Sequence, residues 1–409
     1  MSDTIPFAAD IIIVAAAGLG VLVAQRVGQW TRIPFSALVL AIAAIAVAEV
    51  PGFHRPSETV VVRIVTVALI AVLFAGGLGM GSSRLRSAVG PVLVLGVAGT
   101  FLTTVLGAIF IHYALRLAWY PSVLVATAVA PTDPAVVFSV LGRRPVAGRT
   151  TTVLEGESGA NDPVGIALMA ALIGGRGLTG HSLLHAAGTF AQEMAVGAAV
   201  GAAGGMVLLW LMRHVAVAEA GLDPIRTLAI AYLVYGLAAV AHGSGFLAVF
   251  IVGVAVGDAD VEHRAEIEQF HGALGSIGEM AAFVTLGLTV PLAVLGRLDV
   301  WAPGIALGVA LAVAIRPIAV RLCLLGAAMS RPERRFVQFA GLEGAVPILL
   351  GTYLLTTDLS TADRLYGLII VVVGFSVVVQ GGLIGPAASR LGLVSESTPS
   401  RDREGSGSE

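Results

Sequence analysis

Polar residues interrupt an otherwise apolar sequence at two neighbouring places, and both groups are rich in side-chain oxygen atoms. The first is Pro131-Thr132-Asp133-Pro134. The second comprises Glu155, Glu157, Ser158, Asn161, Asp162 and Pro163. A carboxylate held away from water is costly, so such residues mark ion pathways or proton relays by default. The residue types therefore indicate binding of a cation, a proton or both.

The first group predicts a break in a helix. Two prolines three positions apart interrupt the helical hydrogen-bond ladder, because proline has no N–H to donate. Unwound backbone at membrane depth persists only where it is buried in protein or lines a cavity, and its carbonyl groups are suitable ligands for a hard cation. Asp133 lies at the break, where we expect it to face the positive end of the following half-helix.

The second group predicts a polar helix face. In an α-helix, Glu157 stacks on Asn161 and Ser158 stacks on Asp162, and the two rows adjoin. We expect this face to direct its oxygen atoms toward the break, with Asp162 at the centre of the site. Glu155 lies nearer the end of the span, where it either contributes to the ion path or is simply solvated.

Competition at Asp162 favours exchange over conduction. A desolvated carboxylate holds either a proton or a cation, but not readily both. If the loaded and protonated forms cross and the empty anion does not, cation movement one way is tied to proton movement the other way. The alternative is a channel or uniporter that uses the same polar site without obligatory proton exchange. An enzyme is not expected, because Ser158 has no histidine nearby in sequence.

An embedded arginine and a second break occur later in the chain. Arg316 lies inside an apolar span and needs a buried anionic partner, for which Glu157 is the candidate; such a pair is expected to hold helices together. The segment Gly341 to Pro347 has the features of a second helix break, placed where an inverted repeat would set it opposite the first. Glu343, within it, either contacts the ion path or pairs with an arginine.

These residues must be positioned by helices that cross a bilayer. Of the 409 residues, 57% are apolar and only 12% are charged, which excludes a soluble domain. Apolar stretches of roughly 20 residues, the length that a membrane helix needs, recur almost throughout. We therefore predict an all-α polytopic membrane protein of about 13 transmembrane helices. We expect no cofactor and no nucleic-acid partner.

The predicted spans are approximately 8–25, 33–50, 59–81, 88–114, 119–141, 151–174, 183–212, 225–241, 244–257, 271–291, 301–326, 335–356 and 364–388. An odd count places the termini on opposite sides, and most arginines then share one side. By the positive-inside rule that side is cytoplasmic, with the C-terminus cytoplasmic and the N-terminus outside. We expect residues 1–394 to form a single transmembrane transporter unit and residues 395–409 to be a disordered cytoplasmic tail.

At this point the motifs resemble a known family. Thr132-Asp133-Pro134, followed by Glu157-Ser158-Gly159-Ala160-Asn161-Asp162-Pro163, is similar to the paired signature of the monovalent cation:proton antiporter-1 family, especially its bacterial sodium or potassium/proton antiporters. The resemblance implies a sodium/proton antiporter-like fold with inverted repeats and two unwound helices that cross near the ion. It implies a homodimer in the cell inner membrane, with a mobile core domain, roughly 88–174 and 301–388, and a dimerisation domain formed by the remaining spans.

The resemblance also implies an activity: secondary active exchange of Na+ or K+ for H+ in an alternating-access cycle that serves pH homeostasis. Asp162 would bind the cation and the proton in turn, and Ser158 and the Thr132 carbonyl would complete the coordination of the monovalent cation. Related electrogenic exchangers carry an Asp-Asp pair where this chain has Asn161 and Asp162, so the resemblance implies electroneutral exchange. The expected partners are Na+ or K+, H+, membrane lipid and a second copy of the chain.

The remaining motif residues receive supporting roles from the same resemblance. Glu157 would help through water or through its pair with Arg316, and Asp133 and Asn161 would stabilise the break and the site. The sequence departs from the family at Glu343, where the comparable Gly-Leu-x-Gly motif usually carries arginine.

Overall fold

The structure is a computed structural model. It describes residues 15, 18–20, 22–24, 26–28, 34–49, 55–141, 149–215, 219, 221–261 and 263–393, without the side chains of residues 139 and 140. Every regular element within these ranges is a helix, which confirms the all-α prediction. Most of the predicted span 8–25, and all of the predicted tail 395–409, lie outside the described residues.

The helices of the first part of the chain are α1 (Phe35–Glu49), α2 (Glu58–Leu93), α3 (Thr100–Ala114), α4 (Trp119–Ala128), α5 (Pro134–Leu141), α6 (Thr150–Gly175), α7 (Gly180–His214) and α8 (Leu222–Val240). The second part contains α9 (Gly245–Gly257), α10 (Arg264–Gly287), α11 (Leu292–Leu295), α12 (Leu298–Ala310), α13 (Arg316–Cys323), α14 (Arg331–Phe339), α15 (Ala345–Leu355), α16 (Ala362–Phe375) and α17 (Gly381–Arg390).

Among the described residues, five helical stretches are long and apolar enough to cross a membrane: Glu58–Ala114, Gly180–His214, Leu222–Val240, Leu298–Cys323 and Ala362–Arg390. The apolar helices α1, α9 and α15 are shorter. The chain is therefore a multi-pass membrane protein.

The long helix α2 contains a break at Gly81, whose φ is 64° and ψ is 163°. Asp258, just beyond α9, accepts hydrogen bonds there from the Ser83 N–H and the Ser82 hydroxyl. The hydrogen bond from the Ser83 N–H is the main reason that the pKa of the Asp258 carboxyl lies below its usual range. Glycine adopts this positive φ at little cost, and the break separates the spans predicted over 59–81 and 88–114.

Helix α10 begins seven residues before the predicted span 271–291 and ends four residues before it does. Counting apolar residues misses its first turns, which are polar: Arg264 pairs with Glu268 at 2.6 Å. Glu266, in the first turn, carries the negative charge that a helix N-terminus favours. The helix thus extends past the apolar stretch that predicted it.

Helices α2 and α9 approach each other closely through glycine. A Cβ atom at Gly77 would lie 2.5 Å from the Phe250 carbonyl oxygen, and one at Gly253 would lie 2.5 Å from the Phe74 carbonyl oxygen. Small residues allow membrane helices to pack backbone against backbone. Together with α7 and α10, these two helices form a bundle that stands beside α6.

In the part of the chain that the structure describes, three π-helical segments interrupt long helices: Val94–Gly99, Leu311–Ile315 and Ser376–Gln380. Gly96, in the first, packs against Ala160 of α6, where an added Cβ would lie 2.4 Å from the alanine Cβ. The second ends immediately before Arg316. π-Helical turns are often found at functional sites, and the first of these segments packs against α6.

Candidate ion-binding site

The two interrupted spans meet at their unwound segments. Residues 129–133 separate α4 from α5, and residues 340–344 separate α14 from α15. The Asp133 N–H donates to the Leu342 carbonyl oxygen at 2.7 Å. This bond joins the two breaks directly and satisfies backbone groups that unwinding leaves without helical partners.

Asp133 caps the half-helix that follows it. Its carboxylate Oδ1 accepts from the Ala135 N–H at 2.8 Å, the arrangement of an N-cap aspartate at the positive end of a helix. The same carboxylate packs against Gly344, where an added Cβ would lie 2.2 Å from Oδ2. Asp133 therefore stabilises α5 and fills the space beside the second break.

Asp162 lies in the middle of α6 and faces a cavity of about 410 Å³. Ser158, one turn earlier, and Thr132 and Asp133 of the first break line the same cavity. Asp133 lies close enough to repel the Asp162 carboxylate electrostatically. Oxygen atoms from two elements thus converge on one space, as the motif spacing predicts.

The cavity holds an excess of acidic groups. Arg84 is the one basic residue among its described lining residues, and it pairs with Glu155 at 2.7 Å. The side chains of this pair are 42% and 31% exposed, so they lie toward the mouth of the cavity. Because Arg84 compensates Glu155, it leaves Asp133 and Asp162 without a paired positive charge among the described residues. A cation or a proton can supply that charge.

Proline also shapes α6 next to Asp162. Pro163 lies inside the helix and cannot donate to the Gly159 carbonyl four residues earlier. Gly159 packs on the ring of Phe250, where an added Cβ would lie 2.2 Å from a ring carbon. The helix continues through Pro163. The Gly159 carbonyl, beside the Ser158 and Asp162 side chains, therefore lacks its usual helical N–H donor.

The second row of α6, Glu157 and Asn161, contacts different surroundings. The Asn161 amide donates to the Thr132 hydroxyl at 3.0 Å. Glu157 forms a bidentate ion pair with Arg316, with N–O distances of 2.9 and 3.0 Å, and both side chains are buried. The two rows therefore point to two environments: Ser158 and Asp162 to the cavity, Glu157 and Asn161 to the buried interior.

Arg316 links α6 to the second break. Its guanidinium lies directly on Gly341, where an added Cβ would overlap the Nε atom. It also donates to the Val337 carbonyl at 3.5 Å. One buried cation thus contacts α6, α14 and the unwound segment between α14 and α15.

Glu343 is 4% exposed and is not among the described residues that line the cavity. Its backbone N–H donates to the Ser376 hydroxyl at 3.0 Å, and the positive charge of Arg316 acts on its carboxylate. The structure thus places Glu343 away from the cavity, and no ion pair joins it to an arginine within the part of the chain that the structure describes.

Two residues that support the second break were not anticipated. Ser376 bonds to Glu343, and the Gln380 amide donates to the carbonyl oxygens of Phe339 and Gly341 at 2.6 and 3.2 Å. Both lie in the π-helical segment Ser376–Gln380. The available signal was their polarity within the apolar span predicted over 364–388, since a buried polar side chain needs a partner.

The family described as sodium/hydrogen exchanger, transmembrane, matches residues 11–390 of the chain. The chain belongs to this family. The match confirms the resemblance to cation:proton antiporters that the two motifs predict. The family is described by ion exchange and not by an enzymatic reaction.

Curated relatives include two kinds of exchanger. The K+/H+ antiporter NhaP2 of Shewanella sp. strain MR-4 is 31% identical over 375 residues, which cover 90% of this chain and 63% of that protein. The Na+/H+ antiporter NhaP of Pseudomonas aeruginosa is 28% identical over 344 residues, which cover 79% of this chain and 80% of that protein. The chain thus spans less than two thirds of the length of the first relative.

The fold has a close match among solved structures. The sodium proton antiporter MjNhaP1 from Methanocaldococcus jannaschii aligns with a TM-score of 0.78 at 22% identity, covering 93% of this chain and 99% of that chain. The architecture predicted for the sodium/hydrogen exchanger family, with two interrupted helices, is therefore confirmed as the fold of this chain.

Proposed function

We propose that the chain exchanges a monovalent cation, Na+ or K+, for protons across the cell inner membrane, and that Asp162 takes the cation and the proton in turn. The observation that carries the proposal is the placement of Asp162. Its carboxylate faces the cavity from mid-helix without an ion-pair partner among the described residues. A carboxylate in this setting is stabilised either by a proton or by a cation.

The ligands proposed for the cation are the Asp162 carboxylate, the Ser158 hydroxyl and the Thr132 carbonyl. All three residues line one cavity. Asn161 supports them from behind through its bond to the Thr132 side chain, which fixes the first break against α6. Asp133 contributes negative charge to the same space and caps α5, so it stabilises a bound cation without needing to contact it.

Glu157 and Arg316 hold the site in place in this proposal. Their ion pair ties α6 to the second break, and neither residue lines the cavity in which Asp162 lies. The proposed core domain, roughly 88–174 and 301–388, contains both breaks and this pair. It would move as a unit relative to the remaining spans, which form the dimerisation domain of a homodimer.

Exchange follows if only the occupied forms of the core domain move. With Asp162 either protonated or bound to a cation, the site carries the same charge in both crossings, which supports electroneutral one-for-one exchange. The empty anion keeps an unpaired charge that is costly to carry past apolar surfaces. The cavity mouth carries Arg84, on the arginine-rich side, which the positive-inside rule places in the cytoplasm together with the C-terminus.

The test is cation-driven proton movement in proteoliposomes, followed with a pH-sensitive dye and run with Na+ and with K+. The parent protein should move protons against their gradient when a cation gradient is imposed. Asp162→Asn should reduce this signal to that of protein-free liposomes while the protein still folds and dimerises. Glu268→Gln is the matched control, because Glu268 is an exposed partner of Arg264 outside the cavity.

Two outcomes would contradict the proposal. Cation flux in the parent without proton counterflow would favour the channel or uniporter. Normal exchange by a folded Asp162→Asn variant would show that another group carries the proton.

A further inference from the structure

Two cavities approach α6 from opposite ends. The first, of about 410 Å³, reaches Asp162. The second, of about 490 Å³, is lined by Ile166 and Ala167, and its described lining residues do not include Asp162. Ile166 follows Asp162 by four residues, which is a rise of about 6 Å along a helix. The second cavity therefore ends about one helical turn short of the site.

Two aromatic rings of α9 lie between the cavities. Phe250 lines the first and Phe246 lines the second, and they are 5% and 6% exposed. Residues four apart share one helix face, so the two rings are neighbours on the side of α9 that faces α6. Phe250 packs on Gly159, and Gly165 packs on Pro131 just beyond. These apolar contacts close the second cavity from Asp162 in this conformation.

Each cavity is also lined by a carboxylate from a helix other than α6 and the two interrupted spans. Glu279 of α10 lines the first cavity, and Glu193 of α7 lines the second. Both are half-buried, and neither forms an ion pair within the part of the chain that the structure describes. Asp133 repels Glu279 as it repels Asp162, so these three acids share one electrostatic field.

We propose that Glu279 and Glu193 are the two access carboxylates of the ion pathway, each serving one face of the membrane. The proposal rests on the exchange function proposed above. Both residues lie on helices that do not carry Asp162, so relative movement of the two sets of helices changes which one Asp162 meets. Glu279 attracts and partly dehydrates the cation on the arginine-rich side, and Glu193 does the same on the opposite side.

The physical basis is field focusing in a narrow space. A cleft lined by one sign of charge, with low-dielectric walls, concentrates counter-ions and accelerates their arrival at the site. A carboxylate at the wall does this without holding the ion as tightly as Asp162 does. Its contribution should appear in the apparent cation affinity on its own face, and much less in the maximal rate.

Sidedness makes this testable with everted and right-side-out vesicles prepared from the same cells. Glu279→Gln should raise the cation KM about tenfold on the arginine-rich face, with little change on the other face, a modest effect for a charge-lined cleft. Glu193→Gln should raise the cation KM on the opposite face, with little change on the arginine-rich face. Glu268→Gln, on the same helix as Glu279 but outside both cavities, should leave both KM values unchanged. Glu279→Asp, which keeps the charge, should recover most of the affinity.

A folded Glu279→Gln or Glu193→Gln variant that alters both faces equally, or neither face, would overturn the proposal. A fall in maximal rate at constant KM would do so too, because it would indicate a structural role. Failure of the exchange function itself has a different signature: the parent would lack cation-driven proton movement altogether.

Discussion

At the scale of single residues, the site separates two kinds of buried charge. Asp162 faces a cavity and has no fixed cationic partner among the described residues, whereas Glu157 is paired with Arg316 through two hydrogen bonds. An unpaired carboxylate can exchange a bound proton for a cation, whereas a carboxylate paired with arginine cannot do so readily. The same helix thus carries one group suited to transport and one suited to structure.

Removing one partner of the buried pair should destabilise the protein strongly. Arg316→Met leaves Glu157 buried without its cation, and breaking a buried ion pair in this way costs about 3–5 kcal/mol. The double variant Glu157→Leu, Arg316→Met should recover much of that loss, since replacing both partners by apolar groups is often neutral. Thermal unfolding in detergent measures both.

The control for this experiment is Arg297→Met. Arg297 pairs with Asp299 at the surface, where both side chains are largely exposed, and such pairs contribute about 1 kcal/mol or less. If the folded double variant still exchanges ions, the pair is structural. Loss of exchange in a stable double variant would instead give Glu157 a direct part in binding the ion.

The sequence predicted these residue-scale contacts unequally. The Arg316–Glu157 pair was predictable, because a buried arginine requires an anion and few were available. The surroundings of Glu343 were not, because its position within the break fits either alternative. The separation of Ser158 and Asp162 from Glu157 and Asn161 also escaped prediction, since helical spacing fixes neighbours on one helix but not what each row contacts.

At the scale of elements, glycine allows the two breaks to pack together. Gly344 gives Asp133 room beside the second break, and Gly341 gives Arg316 room beside the same segment. Motif spacing predicted both breaks from proline and glycine. It could not predict the π-helical segment that brings Ser376 and Gln380 to the unwound backbone, because no sequence signal marks a single extra residue in a helical turn.

Gly344→Ala should impair exchange more than it impairs folding. Its Cβ would displace the Asp133 carboxylate and weaken the cap of α5, which is worth about 1 kcal/mol. We expect a clear loss of transport rate in proteoliposomes with a small decrease in Tm. Gly382→Ala is the matched control, because a Cβ there meets no atom within 4 Å. Equal transport by both variants would contradict a role for this contact.

At the scale of the whole molecule, the apolar spans and the motif pair together predicted the fold class. The missing detail lies at helix ends, as in α10, whose polar first turns precede the apolar stretch. Apolar composition reports where lipid or protein surrounds a helix. It does not report where the helix itself begins.

Electroneutral exchange predicts that no net charge crosses the membrane in a transport cycle. On a solid-supported membrane, a jump in Na+ or K+ concentration should produce no sustained current from the parent protein, while dye assays on the same preparation show proton movement. In the proposed cycle only the Asp162 carboxylate changes its occupant, because Asn161 beside it does not ionise. A current that scales with the exchange rate would require a second titrating group in the cycle.

The hydrogen bond from the Asp133 N–H to the Leu342 carbonyl uses main-chain atoms alone. A substitution at either position leaves this main-chain hydrogen bond possible, unless proline replaces Asp133, because proline has no N–H to donate. A change in the length of the segment would disrupt this bond. One inserted or deleted residue between Ala340 and Gly344 would put a different carbonyl opposite Asp133. This short stretch should therefore keep its length, and it should also keep Gly341 and Gly344, where a side chain would collide with Arg316 and Asp133.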